Sequence, residues 1–385
     1  MDVIAVAQEL MKFRTETGNR EQINKCLQYC RNLLENSGAI IEIAEFDKAS
    51  PVLFIRNRRT EDFDALCLGH LDVVPAADEM FVPQIRDGKL FGRGSLDMKS
   101  FAAVALNSME HVLQNNLDLN FGIILSTDEE KGSASTHAFM ETHPEISAKI
   151  VLDNDTGGDI HKIVSKCKNP VFVKLIAKGL EAHGSTPWEG IDANEMMIKV
   201  LGNIRKIYPY YSQNGAIPAD QWIDTVHVAK LHGGEVSNVI CGESEALLDF
   251  RLTENSSIEN LKKNLDSCMI DGVNYVIVSE STPVVMDENN RYIQEYKKFA
   301  EAIMGEKIEF EHIGGATDSR AFAVKGSTVI MHSGTGEGMH TAGEYVVIDT
   351  VRQIADIQIK FLEKLAAEKK TKRRLTAPLC FYWWS

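Results

Sequence analysis

The sequence predicts an α/β protein in which a larger domain, built on a central mixed sheet flanked by helices, is interrupted by a smaller α+β insert. Three observations point there. Apolar, strand-like runs alternate with helical segments in both outer parts of the chain. Polar residues of metal-binding types follow directly on several of those runs. From about Val164 the pattern changes to longer strands separated by helices, and the first pattern resumes near residue 282. A length of 385 residues is enough for two cores.

Residues 1–37 read as two helices around a turn at Thr17–Arg20, and IIEIAEF and PVLFIRN then alternate or run apolar like strands. The run DALCLGHLDVV is a strand that ends in polar residues. A loop rich in Pro, Asp and Gly follows, then a helix from Met98 through Val112, the strand NFGIILSTDEE and a helix from Ser133. In the insert, NPVFVKLIAKG reads as a strand, Ala193–Tyr208 as a helix, HVAKLHGGEVSNVICGESEALLDFRL as strand-rich, Ile258–Met269 as a helix and NYVIVSES as a strand. Helix Asn290–Ile303, the strand STVIMH and helix Asp349–Lys370 complete the outer pattern. The expected division is 1–165 with 282–370 for the discontinuous larger domain, 166–281 for the insert, and 371–385 for a disordered tail carrying a basic run and an aromatic end.

The formal net charge of −14 argues against binding nucleic acid or an anionic membrane surface. No run of about 18 apolar residues suggests a membrane span, and the first residues lack the pattern of a secretory signal. Seven scattered cysteines without a CxxC pair fit a reducing compartment, so a cytoplasmic location is expected. Cys26 and Cys30 lie one helical turn apart, and a buried helix face is the simpler reading than a metal site.

The chemistry-bearing residues are His70 and Asp72 in GHLDVVP, Asp97 in GRGSLDMKS, Glu129 and Glu130 in STDEEKGS, Asp153 in IVLDND, and His340 in GEGMHTAGE. An HxD tripeptide is usually a surface accident, and an Asp-Glu-Glu run is usually a solvated helix start. Together they mean more. Side chains that follow buried strands gather at one sheet edge, and carboxylates gathered in a cleft of low dielectric call for cations to neutralise them. Two imidazoles and three carboxylates would hold two divalent metal ions. That mixed nitrogen and oxygen set suits zinc, with cobalt or manganese as substitutes.

In these motifs the sequence resembles the co-catalytic zinc exopeptidases, a family that includes acetylornithine deacetylase, succinyl-diaminopimelate desuccinylase, aminoacylase, peptidase T, carnosinase and glutamate carboxypeptidase. The segments GHLDVVP, GRGSLDMKS, DEEKG, an acid after an apolar strand, GLEAHGSTPWEGIDA, SNVICGE, GGATDSRAF and GMHTAGEYV occur in the family's order. The resemblance implies a zinc-exopeptidase-like fold with a lid and dimerisation domain. It implies that Asp97 bridges two metals, that His70 and an acid at Asp153 complete one pocket, and that Glu130 and His340 complete the other. LDND also offers Asp155, and Asp153 is the residue chosen. Asp72 would orient His70, and Glu129 would be the general base. His183 would stabilise the oxyanion, while Asn238 and Arg251 would bind a substrate carboxylate, although a plain salt bridge explains Arg251 nearly as well. Gly315 and Asp318 would line the pocket.

GGATDSR and DMKS depart from the family's common GGTSDGR and DMKGG, so side-chain preference is not readable by analogy. His111, His137, His143, His161, His227, His232 and His312 have no counterpart and read as surface or packing residues, and His332 is unassigned. The expected activity is cleavage of an amide bond in a small peptide, with N-acyl amino acid deacylation as the alternative. A non-catalytic, metal-dependent binding module and a two-metal phosphoesterase are the readings from other classes. A homodimer through the lid is expected from the resemblance.

Overall fold

Strand Ala65–His70 lies near the middle of the main sheet in the computed structural model, whose described residues are 1–208 and 222–376. It pairs in parallel with Phe121–Ser126 on one side and with Ile150–Asp153 on the other. Thr328–Met331 adds a further parallel strand beside Ile150–Asp153. Val52–Arg56 and Ile40–Ala44 extend the sheet antiparallel beyond Phe121–Ser126. Val164 pairs antiparallel with Met331 at the other end, so the mixed sheet has antiparallel pairings on both sides of its parallel strands.

The composition of these strands explains their places. ALCL, FGIIL, IVL and TVIM are continuously buried, as strands covered on both faces must be. Ile40–Ala44 is only half-buried and forms the edge. Helix Lys99–Gln114 buries Phe101, Val104, Leu106 and Met109 in the core. Helix Val3–Lys12 starts at Asp2, whose carboxylate accepts from the Ile4 and Ala5 amides. In helix Arg20–Leu34, Cys26 and Cys30 share a fully buried face with Ile23, Leu27 and Leu34.

The chain divides into two compact units. Among the described residues, the first comprises 1–165, 286–311 and the chain from Thr317 onward, and the second the chain from Lys166 to Val285 with 312–316. The sequence puts the return to the larger domain at 282; it falls at Met286, and the short piece holding Gly315 groups with the second unit. The C-terminal helix spans Ile348–Thr376 and so continues past the point where the sequence places a tail; residues 377–385 of that tail lie outside the described residues.

The second unit has one four-stranded antiparallel sheet in the order Thr225–Gly233, Glu243–Leu252, Asn169–Lys178, Val273–Ser279. Strict alternation along Asn169–Lys178 buries Val171, Val173, Leu175 and Ala177. Met197, Val200 and Ile204 of helix Ala193–Ile207 and Leu261 and Leu265 of helix Ile258–Cys268 share that core. Among the described residues no helix is long and apolar enough to cross a membrane.

Candidate metal-dependent active site

The strand ends of the first unit converge on a cluster of histidines and acids. His70, the last residue of its strand, is 1% exposed. Its Nδ1 lies 3.0 Å from the Asp72 carbonyl and donates to it, and the Asp72 carboxylate is 3.4 Å away. Nε2 faces the other way, 3.0 Å from Asp97 Oδ1 and 3.7 Å from Asp155 Oδ2. Burial alone would lower the His70 pKa, but the partnership with Asp72 and Asp97 outweighs it and holds the ring well above its ordinary value.

A second group shares Asp97. Its Oδ2 lies 2.9 Å from His340 Nε2, which is also 3.0 Å from Glu130 Oε2. His340 has a φ of 62°, an uncommon conformation for a residue with a side chain, and sits in a loop that turns at Gly338 with a φ of 77°. Glu129 and Glu130 open a short 3-10 turn after strand Phe121–Ser126. Asp128 fixes that turn: its carboxylate accepts from the amides of Ser50 and Ser135 and from the Ser135 hydroxyl. Asp72 holds it from the other side, with Oδ1 accepting from the Glu129 amide at 3.1 Å and Oδ2 from the Glu130 amide at 3.3 Å. Asp72 thus braces both acids as well as His70.

The electrostatics fit cations. Burial, with neighbouring acids adding to it, pushes Glu129 up to about 8 and Glu130 up to about 7, and pushes Asp155 well above the ordinary aspartate range. Burial would also raise Asp97, but hydrogen bonds and charge from His340 and His70 hold it below that range. Among the described residues Glu130 Oε1 is buried without a hydrogen-bond partner, an orphaned acceptor that a cation would satisfy. His70, Asp97 and Asp155 form one group and Asp97, Glu130 and His340 the other, each with its donor atoms within 4.8 Å of one another.

Asp153, the acid chosen from the sequence, is in neither group. Its Oδ2 accepts from the hydroxyls of Thr317 and Ser319, and its Oδ1 accepts from the Asp155 amide at 2.9 Å. Asp153 therefore buttresses the turn that delivers Asp155. The sequence contains both acids two residues apart, and what separates them is a pair of hydroxyls more than 160 residues downstream. Asp318, between those two residues, accepts from Thr136 Oγ1 at 2.6 Å.

The remaining expected residues lie in the second unit. His183 is exposed, with Nδ1 2.7 Å from Ser185 Oγ. Its loop meets that of Asn238, whose carbonyl accepts from the Gly184 amide at 2.7 Å. Arg251 is engaged as a fork on Asp249, Nε to Oδ1 at 2.9 Å and Nη2 to Oδ2 at 3.0 Å, which is the plain salt bridge. Among the described residues the nearest side-chain atom to a Cβ at Gly315 would be Ile313 Cδ1 at 3.7 Å. The unassigned His332 is fully buried, its Nε2 2.6 Å from the Ile160 carbonyl, and burial lowers its pKa to about 4, so it is a neutral packing residue.

Known proteins resemble this chain in sequence and in fold. The profile of Peptidase family M20/M25/M40 matches residues 66–364. An uncharacterized metallohydrolase of Methanocaldococcus jannaschii is 24% identical over 326 residues, covering 77% of this chain and 80% of that protein. Succinyl-diaminopimelate desuccinylase of Nitrosomonas eutropha is 25% identical over 335 residues, covering 80% and 85%. In fold, the chain is similar to a crystallised M20 family metallo-carboxypeptidase of Sulfolobus solfataricus, with a TM-score of 0.80 and 18% identity, covering 95% of this chain and 100% of that one. The family match covers most of the chain, which is thus a hydrolase and belongs to Peptidase family M20/M25/M40.

Proposed function

We propose that this protein hydrolyses an amide bond in a small peptide, as a dipeptidase, tripeptidase or carboxypeptidase does, with two divalent cations, zinc in the first instance. The observation that carries the reading is the pair of ligand groups joined at Asp97, with Glu129 beside them but in neither. His70, Asp97 and Asp155 would hold one cation, and Asp97, Glu130 and His340 the other. Bound there, the cations would supply Lewis acidity toward the scissile carbonyl and toward the attacking water.

The chain's own residues do the rest. Glu129, held by its amide on Asp72 and with a carboxyl that burial makes a better base, takes the proton from the water and returns it to the leaving nitrogen. Asp72 fixes the His70 ring so that Nε2 presents its lone pair. We extend the proposal to His183 as the oxyanion donor, to Asn238 as a substrate contact and to Asp318 as a pocket residue, on the strength of the motifs around them. Arg251, already paired with Asp249, is the weakest of the expected substrate contacts.

The second reading is an N-acyl amino acid deacylase, favoured by the similarity to the Nitrosomonas desuccinylase. The test is hydrolysis of dipeptides, tripeptides and N-acetyl or N-succinyl amino acids by the metal-free chain and after zinc, manganese or cobalt is restored. Metal-dependent release of amino acids from peptides supports the first reading, cleavage of the acylated substrates alone supports the second, and no turnover with both cations bound would point to a binding module. We also propose a reducing, cytoplasmic setting, in keeping with the free, buried cysteines Cys26, Cys30, Cys67, Cys241 and Cys268, and a homodimer through the second unit, which light scattering of the purified chain would test.

A further inference from the structure

The loops that supply Asp97 and His340 are joined by a buried ion pair that the proposed chemistry does not use. Glu344, four residues past His340, is 1% exposed, and Arg93, four residues before Asp97, is 3% exposed. Glu344 Oε1 accepts from the amides of Leu96 at 2.9 Å and Asp97 at 3.2 Å. Its Oε2 is bonded to Arg93 Nη1, and Arg93 Nη2 reaches toward the Thr341 carbonyl at 3.4 Å. The backbone adds a further link, since the Gly92 amide donates to the Glu344 carbonyl at 3.1 Å.

One carboxylate therefore grips the peptide unit that carries Asp97, while its guanidinium partner reaches back to the residue after His340. The loop so held is a demanding one. His340 is in the left-handed region, and a Cβ on Gly338 would come within 2.7 Å of the Gly343 backbone, so the turn closes tightly on itself. A buried ion pair is a weak source of stability compared with an apolar pair of the same shape, but it fixes geometry firmly because each partner is costly to leave unpaired. Fixed geometry is what two ligands from loops 243 residues apart require.

We propose that the Arg93–Glu344 pair is a positioning clamp that sets Asp97 and His340 at the spacing needed to hold the second cation. Glu344 is in neither ligand group and acts through the two ligands it braces. The proposal rests on the reading that Asp97, Glu130 and His340 hold a cation.

The experiment is zinc binding to the metal-stripped full chain, followed by competition with a chromogenic chelator, for wild type, Glu344→Gln, His340→Ala and the double variant. Glu344→Gln keeps the shape and an acceptor for the Leu96 and Asp97 amides but loses the charge that holds Arg93. It is expected to weaken one zinc equivalent by about tenfold to a hundredfold while leaving the far-ultraviolet circular dichroism unchanged. In the His340→Ala background, where that equivalent is already lost, Glu344→Gln should add no further loss of zinc affinity. A Glu344→Gln chain that binds both equivalents like wild type, even if it melts earlier, overturns the clamp. If Glu344→Gln does not fold, Arg93→Lys, which keeps the charge but not the fork, is read the same way: weakened binding of one equivalent supports the clamp and unchanged binding overturns it. Wild type that takes up no second zinc equivalent overturns the two-cation reading itself and the clamp with it, so the two failures are told apart.

Discussion

The two ligand groups share Asp97 yet are built differently. His70 and Asp155 sit at or just past the ends of buried parallel strands, and the shared Asp97 on the turn before helix Lys99–Gln114, with His70 fixed through Nδ1 and Asp155 delivered by a turn that Asp153, Thr317 and Ser319 brace. Glu130 and His340 come from a short 3-10 turn and a hairpin loop, and the His340 side chain is 49% exposed. A sheet supplies rigid placement at little extra cost, whereas a loop must be braced residue by residue. The lesson is that the inner group is preorganised by the fold and the outer group by side-chain contacts to Asp72, Asp128 and Glu344.

The largest expected effect comes from the residue the groups share. Asp97→Ala should remove zinc from both and abolish hydrolysis; elemental analysis showing two retained equivalents would separate the groups and refute the bridging role. Glu129→Ala should keep both cations and lower kcat by roughly a thousandfold, as loss of a general base does, and near-wild-type turnover would displace Glu129 from that role.

The inner group is sharpened by contrasting its neighbours. Asp155→Ala should lose the inner cation, whereas Asp153→Ala should retain both and lose about 1–3 kcal/mol of stability, because it strips a buried partner from Thr317 and Ser319. Metal analysis and denaturant unfolding of the two variants check this, and the reverse pattern would restore Asp153 as the ligand. The smallest effect is kinetic. Under a chelator, one zinc equivalent should leave faster than the other because His340 is half exposed and His70 is not, and His340→Ala should abolish the fast phase in stopped-flow traces; a single rate for both equivalents would erase the distinction between the groups.

Much of this was legible in the sequence because strand ends are. The runs ALCLG, FGIIL and IVL announce buried strands, and the polar residues after them must emerge at one edge, which is how His70, Glu129, Glu130 and the LDND acids were found. Asp97 and His340 follow no such run, and only the order of the motifs pointed to them. The choice between Asp153 and Asp155 was not legible, since it depends on which carboxylate meets hydroxyls from a segment distant in sequence. Arg93 and Glu344 stand inside GRGSLDMKS and GMHTAGEYV, but nothing local shows that they pair across 251 positions.

The most direct test of the central claim is a calorimetric titration of zinc into the metal-free chain, with peptide hydrolysis assayed at each point. Two equivalents per chain, with activity appearing as they fill, is the predicted result. Saturation at one equivalent with full activity, or two equivalents bound with no hydrolysis of peptides or acylated amino acids, would contradict it.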